Sequence, residues 1–193
     1  MKIIGLTGGI GSGKSSVLEV FSAKGVPCYQ SDHQAKKLMQ EDERLVEQIK
    51  ALFGDDIYKE NQLDRAQLAD LVFSDKVKLE SLNAIVHPAV QKDFKVFIAE
   101  QDAPYVLKEA AILFESGVAE VCDAVILVTA PELLRIERVM KRENIDPKSI
   151  RARMNHQWSD NQKIPLADFI IDNIEWDKTL ESIEDIHKKL LEF

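Results

Sequence analysis

The sequence predicts an α/β fold: a five-stranded parallel sheet with helices on both faces, a helical substrate lobe and a small helical lid. Three observations predict it. Short β-branched runs alternate with longer helical patterns along the 193 residues. A glycine loop, Gly8-Gly-Ile-Gly-Ser-Gly13-Lys14-Ser15, joins the first run to the first helical pattern. A hydrophobic content of 45% is enough for one buried core. The expected organisation is a single domain over 1–193, with the lobe at about 60–100 and the lid at about 135–163.

The strand runs are 2–7 (KIIGLT), 26–29 (VPCY), 105–108 (YVLK), 124–129 (AVILVT) and 168–172 (DFIID). Helical spacing follows the loop in Val17, Leu18, Val20 and Phe21. From 42 to 101 it recurs in Leu45/Ile49/Leu52/Phe53, Leu68/Leu71/Val72, Leu79/Leu82/Ile85/Val86 and Val90/Phe94/Phe97/Ile98. That is more helix than one crossover needs, so part of it is read as an inserted lobe. Asp64 to Gln67 reads as a capping box, and Pro88 should interrupt the helix ending near His87. After the fourth run, Thr129-Ala-Pro-Glu132 offers a cap for a helix through Arg142. Asp146-Pro147 opens the next, with Asp as cap and Pro in its first turn. This pair of helices is rich in Arg and Lys and poor in long apolar stripes, so a mobile, solvated hairpin is expected.

The charge balance narrows the partners. With 25 Lys+Arg against 33 Asp+Glu the formal charge is −8, which argues against a nucleic-acid-coating surface or an anionic membrane partner. The opening apolar run is too short for a signal peptide, and no stretch approaches the roughly 18 apolar residues of a spanning helix. A cytoplasmic location and a monomer or weak homo-oligomer are expected. Cys28 and Cys122 have neither a close partner nor a CxxC spacing and read as small buried hydrophobes.

The glycine loop matches G-x-x-x-x-G-K-[ST], for which a chance match somewhere in the chain has odds of about one in 150. Its position between a strand and a helix lets backbone N–H groups and the helix N-terminus converge on phosphate oxygens. The loop from Gly11 through Ser12, Gly13, Lys14 and Ser15 to Ser16 is therefore the expected triphosphate cradle. Lys14 should reach the β and γ phosphates and the Ser15 hydroxyl should ligate Mg²⁺. The GTPase signatures DxxG and NKxD are absent. Small size and helical insertions favour a kinase fold that closes over a small acceptor and excludes water. A kinase also needs a base. Asp32, just beyond the second strand at the carboxyl edge of the sheet, can take the proton of an attacking hydroxyl; it can equally cap a helix starting at His33, and the two roles can coexist. A P-loop regulator without transferase activity, or a kinase for another nucleoside or small metabolite, are the competing readings.

Several motifs together carry a family resemblance: Thr-Gly-Gly-Ile-Gly-Ser-Gly-Lys-Ser at the loop, Asp32 followed by Ala35 and a basic residue, LNAIVHP at 82–88 and ILFESG at 112–117. Arg138, Arg142, the Arg153/Gln157 pair and ADFIIDN at 167–173 complete the set. In this order and spacing the chain resembles the dephospho-CoA kinases over almost its whole length. The resemblance implies transfer of the γ-phosphoryl of ATP to the ribose 3′-hydroxyl of 3′-dephospho-CoA, with Mg²⁺. It implies Asp32 as catalytic base and places Arg138 and Arg142 on the lid side of the nucleotide. His87 falls in the lobe that receives the acceptor. Glu109, ending the third strand, would hold a metal-bound water or the acceptor ribose, or make a structural pairing. Asp172-Asn173 would lie at the rim near the adenine. Three positions depart from the family pattern: Lys36 replaces an Arg, Ala111 replaces a Pro and Arg135 replaces a Gln.

Overall fold

The protein was analysed as a computed structural model that describes residues 1–192, apart from the side chain of Phe73. In chain order the elements are β1 (Lys2–Thr7), α1 (Lys14–Ala23), β2 (Cys28–Gln30), α2 (Ser31–Glu41), α3 (Glu43–Phe53), β3 (Tyr58–Lys59), β4 (Gln62–Leu63), α4 (Arg65–Phe73) and α5 (Lys76–Ala99). Then come β5 (Tyr105–Glu109), β6 (Ala124–Thr129), α6 (Glu132–Glu143), α7 (Pro147–Met154), α8 (Asp160–Lys163), β7 (Phe169–Asp172) and α9 (Trp176–Glu192). The chain divides into two compact units, one made of 1–30 with 102–193 and the other of 31–101.

The first unit holds the expected five-stranded parallel sheet, in the order β2-β5-β1-β6-β7. Its second strand lies one to two residues later than the sequence pattern suggests, at Cys28–Gln30. β5 and β6 are buried at every position; β6 accordingly reads as a continuous apolar run rather than an alternating one, whereas β5 ends on the buried Lys108 and Glu109. Register aligns the carboxyl ends: Leu6 and Gln30 both pair with Glu109, and Thr129 pairs with Asp172. Ile4, Leu6, Leu107, Ile126, Val128 and Ile171 pack with Val17, Leu18 and Phe21 of α1 and with Ile183, Ile186 and Leu190 of α9. Each such side chain contributes about 1.5–3 kcal/mol by burial. A second cluster, Ala110, Leu113 and Val125 with the partly buried Cys122, forms separately. Cys28 packs against the first cluster, and burial pushes both thiols up to about 11.

The second unit combines α2 to α5 with a β3–β4 hairpin turning at Glu60 and Asn61, both at positive φ. Pro88 does not end its helix; α5 runs unbroken over 24 residues. Leu82, Val86, Val90 and Phe94 are all buried along it, and that packing outweighs the hydrogen bond a mid-helix proline removes. Only half of the capping box at Asp64 forms. The Asp64 carboxylate accepts from Gln67 N–H at 3.0 Å, but its own N–H donates to the Ile57 carbonyl at 2.8 Å.

Two further expectations are corrected. Thr129 does not cap α6: its hydroxyl donates to Asp172, and the N-cap position is Pro131 without a side-chain bond. The α6–α7 hairpin is not merely solvated, since Ile136, Val139 and Ile150 are buried together with Ile10 of the glycine loop against them. Asp146 caps α7 as expected, accepting from Lys148 and Ser149.

Candidate active site

Gly13 ends the loop at φ 91° and opens α1 without any side-chain cap. The first-turn N–H groups are thereby left for another acceptor. Gly11 (φ 80°) and Gly13 both adopt the left-handed conformation that a side chain would strain. Within the loop Ser12 N–H donates to the Gly9 carbonyl at 3.0 Å, while Ile10 N–H donates to Gln157 Oε1 at 2.9 Å. Among the described residues, the N–H groups of Gly11, Gly13, Lys14, Ser15 and Ser16 donate to no protein acceptor. Five donors at a helix N-terminus, where the backbone dipole is positive, form an anion cradle. Ser12 belongs to its frame: its N–H is spent inside the loop and its buried hydroxyl has no partner.

Lys14 Nζ lies 2.5 Å from Glu109 Oε1, with Glu109 itself buried. Glu109 is thus the counter-ion of Lys14 in this structure. Ser15 is exposed, and its hydroxyl engages no other group among the described residues. Thr7 Oγ1, at the end of β1, is buried without a partner.

The arginines sort differently from their i, i+4 spacing. Arg138 reaches the loop, donating from Nη1 to the Ser12 carbonyl at 3.3 Å and from Nη2 to the Asn173 carbonyl at 2.9 Å. Arg142 is 62% exposed and pairs instead with Glu143. Arg153 pairs with Glu143 too, and hydrogen bonds from Arg142 and then Arg153 hold that carboxyl below its usual range. The partner of Arg138 on its helix face is Arg135, one turn earlier, whose Nε donates to the Ile10 carbonyl at 2.9 Å. Asn173 is buried and its amide donates to the Ser12 carbonyl at 2.8 Å while accepting from Thr179, so it braces the loop. The sequence pointed to Arg135 only as a departure from a resembled pattern; its partner, Ile10, lies 125 residues away.

Asp32 and His87 belong to the second unit. α2 begins at Ser31, so Asp32 sits inside its first turn rather than capping it. Its exposed carboxylate makes no hydrogen bond or ion pair with any described residue. It follows Gln30, the β2 residue paired with Glu109, by two positions. His87 is exposed in the middle of α5. No described helix is long and apolar enough to cross a membrane, and no group of three or more His, Cys, Asp or Glu side chains suits a metal ion among the described residues.

Comparison with known proteins gives this geometry a context. The sequence model of the family described as "Dephospho-CoA kinase" matches residues 2–177. A dephospho-CoA kinase of Chlorobium chlorochromatii is 36% identical over 199 residues, covering 98% of this chain and 94% of the relative. One from Porphyromonas gingivalis is 42% identical over 157 residues, covering 81% and 78%. Among solved structures, a Thermus thermophilus protein superposes with a TM-score of 0.90 at 34% identity, covering 98% of this chain and 97% of its own. The dephospho-CoA kinase of Campylobacter jejuni gives 0.70 at 25%, with the same coverage. A shikimate kinase of Acinetobacter baumannii, at 14% identity and a TM-score of 0.54, shares the fold alone. An anion cradle on a parallel sheet thus coincides with a family match over nearly the whole sequence: the chain belongs to the dephospho-CoA kinase family.

Proposed function

We propose that the anion cradle at Gly11–Ser16 holds the phosphates of ATP and that Asp32 is the base in their transfer to the ribose 3′-hydroxyl of 3′-dephospho-CoA. Dephospho-CoA kinase activity, the last step of coenzyme A biosynthesis, comes with family membership. The observation that carries the residue assignment is the set of five uncommitted N–H donors beside Lys14.

Lys14 moves from Glu109 to the β and γ phosphates as nucleotide enters, and Arg138 adds positive charge beside the Ser12–Gly13 peptide. Asp32, free of competing partners, accepts the acceptor hydroxyl's proton as the oxygen attacks the γ phosphorus in line. His87 is assigned to acceptor binding, Arg142 to the nucleotide side, and the lobe at about 60–100 and the lid at about 135–163 to closure around the substrates.

A divalent cation fits this donor set. One exposed hydroxyl, Ser15, with phosphate oxygens and water as the remaining ligands, suits Mg²⁺, which keeps several waters and needs no protein cage. When bound it neutralises charge on the phosphates.

Asp32→Asn tests the base. Turnover of dephospho-CoA, measured by ADP release against AMP, cytidylate and shikimate as other acceptors, is expected to fall about 10²-fold or more with ATP affinity kept. Turnover within about threefold of wild type would remove Asp32 from the proton transfer.

A further inference from the structure

Both backbone groups of Ile10, at the crown of the glycine loop, are held by side chains from far along the chain. Its N–H donates to Gln157 Oε1 at 2.9 Å, and its carbonyl accepts from Arg135 Nε at 2.9 Å. Each holder is anchored in turn. Gln157 Nε2 donates to the Ala111 carbonyl at 3.3 Å, and Arg135 Nη1 lies 3.3 Å from Asp160 at the start of α8. Arg135 is only 8% exposed, an unusual depth for a guanidinium, and among the described residues its charge is answered by Asp160.

The loop is shaped to this arginine. A Cβ on Gly9 would stand 2.1 Å from Arg135 Nη2 and 2.6 Å from its Cζ, and a Cβ on Gly11 would stand 2.4 Å from the Arg135 carbonyl. Gly11 needs to be glycine for its φ as well. Gly9 does not, because its φ is not positive; its missing side chain is explained by the guanidinium lying on it.

We propose that Arg135 is a positioning residue of the nucleotide site, setting the loop before ATP arrives and strengthening one of its phosphate donors. The Ile10 carbonyl and the Gly11 N–H belong to one peptide group. A charged donor on the carbonyl polarises that peptide and makes the uncommitted Gly11 N–H a better donor. Through Asp160 and Gln157 the same contact ties the loop to the α7–α8 segment, so its conformation depends on residues 147 to 163. The inference rests on the cradle at Gly11–Ser16 being the ATP site.

The test is a four-variant comparison in the full chain: Arg135→Ala, Gly9→Ala, the two combined, and Lys14→Ala as control. ATP KM, dephospho-CoA KM and the thermal shift produced by ATP are measured for each. Arg135→Ala is expected to raise ATP KM about tenfold, the scale of losing a charged hydrogen bond, with dephospho-CoA KM within about twofold. Gly9→Ala should act similarly by expelling the guanidinium, and the double variant should be no worse than Arg135→Ala. An unchanged ATP KM in Arg135→Ala, or effects of the two substitutions that multiply, would overturn the proposal. If Arg135→Ala fails to fold, Arg135→Gln, which removes the ion pair, carries the same comparison. Loss of nucleotide response in Lys14→Ala keeps these outcomes separate from failure of the ATP-site assignment, which would instead leave Lys14→Ala responding like wild type.

Discussion

Lys163 makes the sharpest test of how the segment behind the glycine loop is held. Its side chain is 0% exposed and its Nζ sits 2.8 Å from Glu115 Oε1, itself on a side chain 12% exposed. The same oxygen accepts the Trp158 N–H at 2.9 Å, and neither Glu115 Oε2 nor Lys163 Nζ has an aligned hydrogen-bond partner among the described residues, so the pair is held by proximity of charge. Lys163→Met keeps most of the aliphatic stem and removes the charge, so cavity formation is a small part of the effect. What remains is a buried carboxylate without its cation, a change that costs about 3–5 kcal/mol. For a chain of this length each kcal/mol lowers the melting temperature by about 2–4 °C, which gives a fall of about 6–20 °C. Both tryptophans, Trp158 and Trp176, lie in the first unit, so their fluorescence in urea follows that unit's unfolding. Glu115→Gln/Lys163→Met should recover most of the loss, because replacing both charges removes the desolvation penalty as well as the attraction. A Lys163→Met protein within about 1 kcal/mol of wild type would refute the premise that this pair is desolvated.

Other substitutions address other elements. Pro88→Ala supplies the Ala84 carbonyl with the N–H donor it lacks in α5 and should stabilise the second unit by about 1–3 kcal/mol in urea unfolding; a loss of stability would refute this. Cys28 and Cys122, both pushed from 9.0 to about 11 by burial, should alkylate at pH 8 about 100-fold more slowly in the folded protein than in urea, and equal rates would contradict their packing. His187 accepts or donates at Nδ1 with the Tyr105 hydroxyl at 2.6 Å; burial, then nearby Lys24, lowers its pKa against the opposing effect of Glu184. The unfolded imidazole therefore protonates first. Its contribution to stability is complete above about pH 6.5 and fades as pH falls below that value, so His187→Gln should flatten the fall of thermal stability below about pH 6.5. An unchanged slope would assign it to other groups.

The strands and the backbone of the glycine loop were legible because their signals are local. β6 is a six-residue apolar run, and Gly11 and Gly13 fix backbone conformations from their own chemistry. Pro88 misled for the same reason: local propensity predicts a break, whereas α5 is held by Leu82, Val86, Val90 and Phe94, whose burial no short window reveals. The arginines of α6 show the limit more sharply. Arg138 and Arg142 share a helix face by spacing, yet the loop takes Arg138 with Arg135, while Arg142 turns to Glu143. Spacing says which side chains are neighbours on a helix. It does not say which carbonyls, more than a hundred residues away, will lie beneath them.

The strand order has a consequence in time. β1 and β2 are made first but do not pair with each other; β2 pairs with β5, and β1 with β5 and β6. As the chain leaves the ribosome, residues 2–30 therefore have no sheet to join until Tyr105–Glu109 has emerged. Residues 31–101 form an uninterrupted compact unit whose contacts are all available before then. The glycine loop, which directly follows β1, therefore waits longest for the groups that hold it. Arg135, Arg138, Gln157 and Asn173, which brace it, are all synthesised after β6, so the anion cradle is among the last parts of this sheet to be completed.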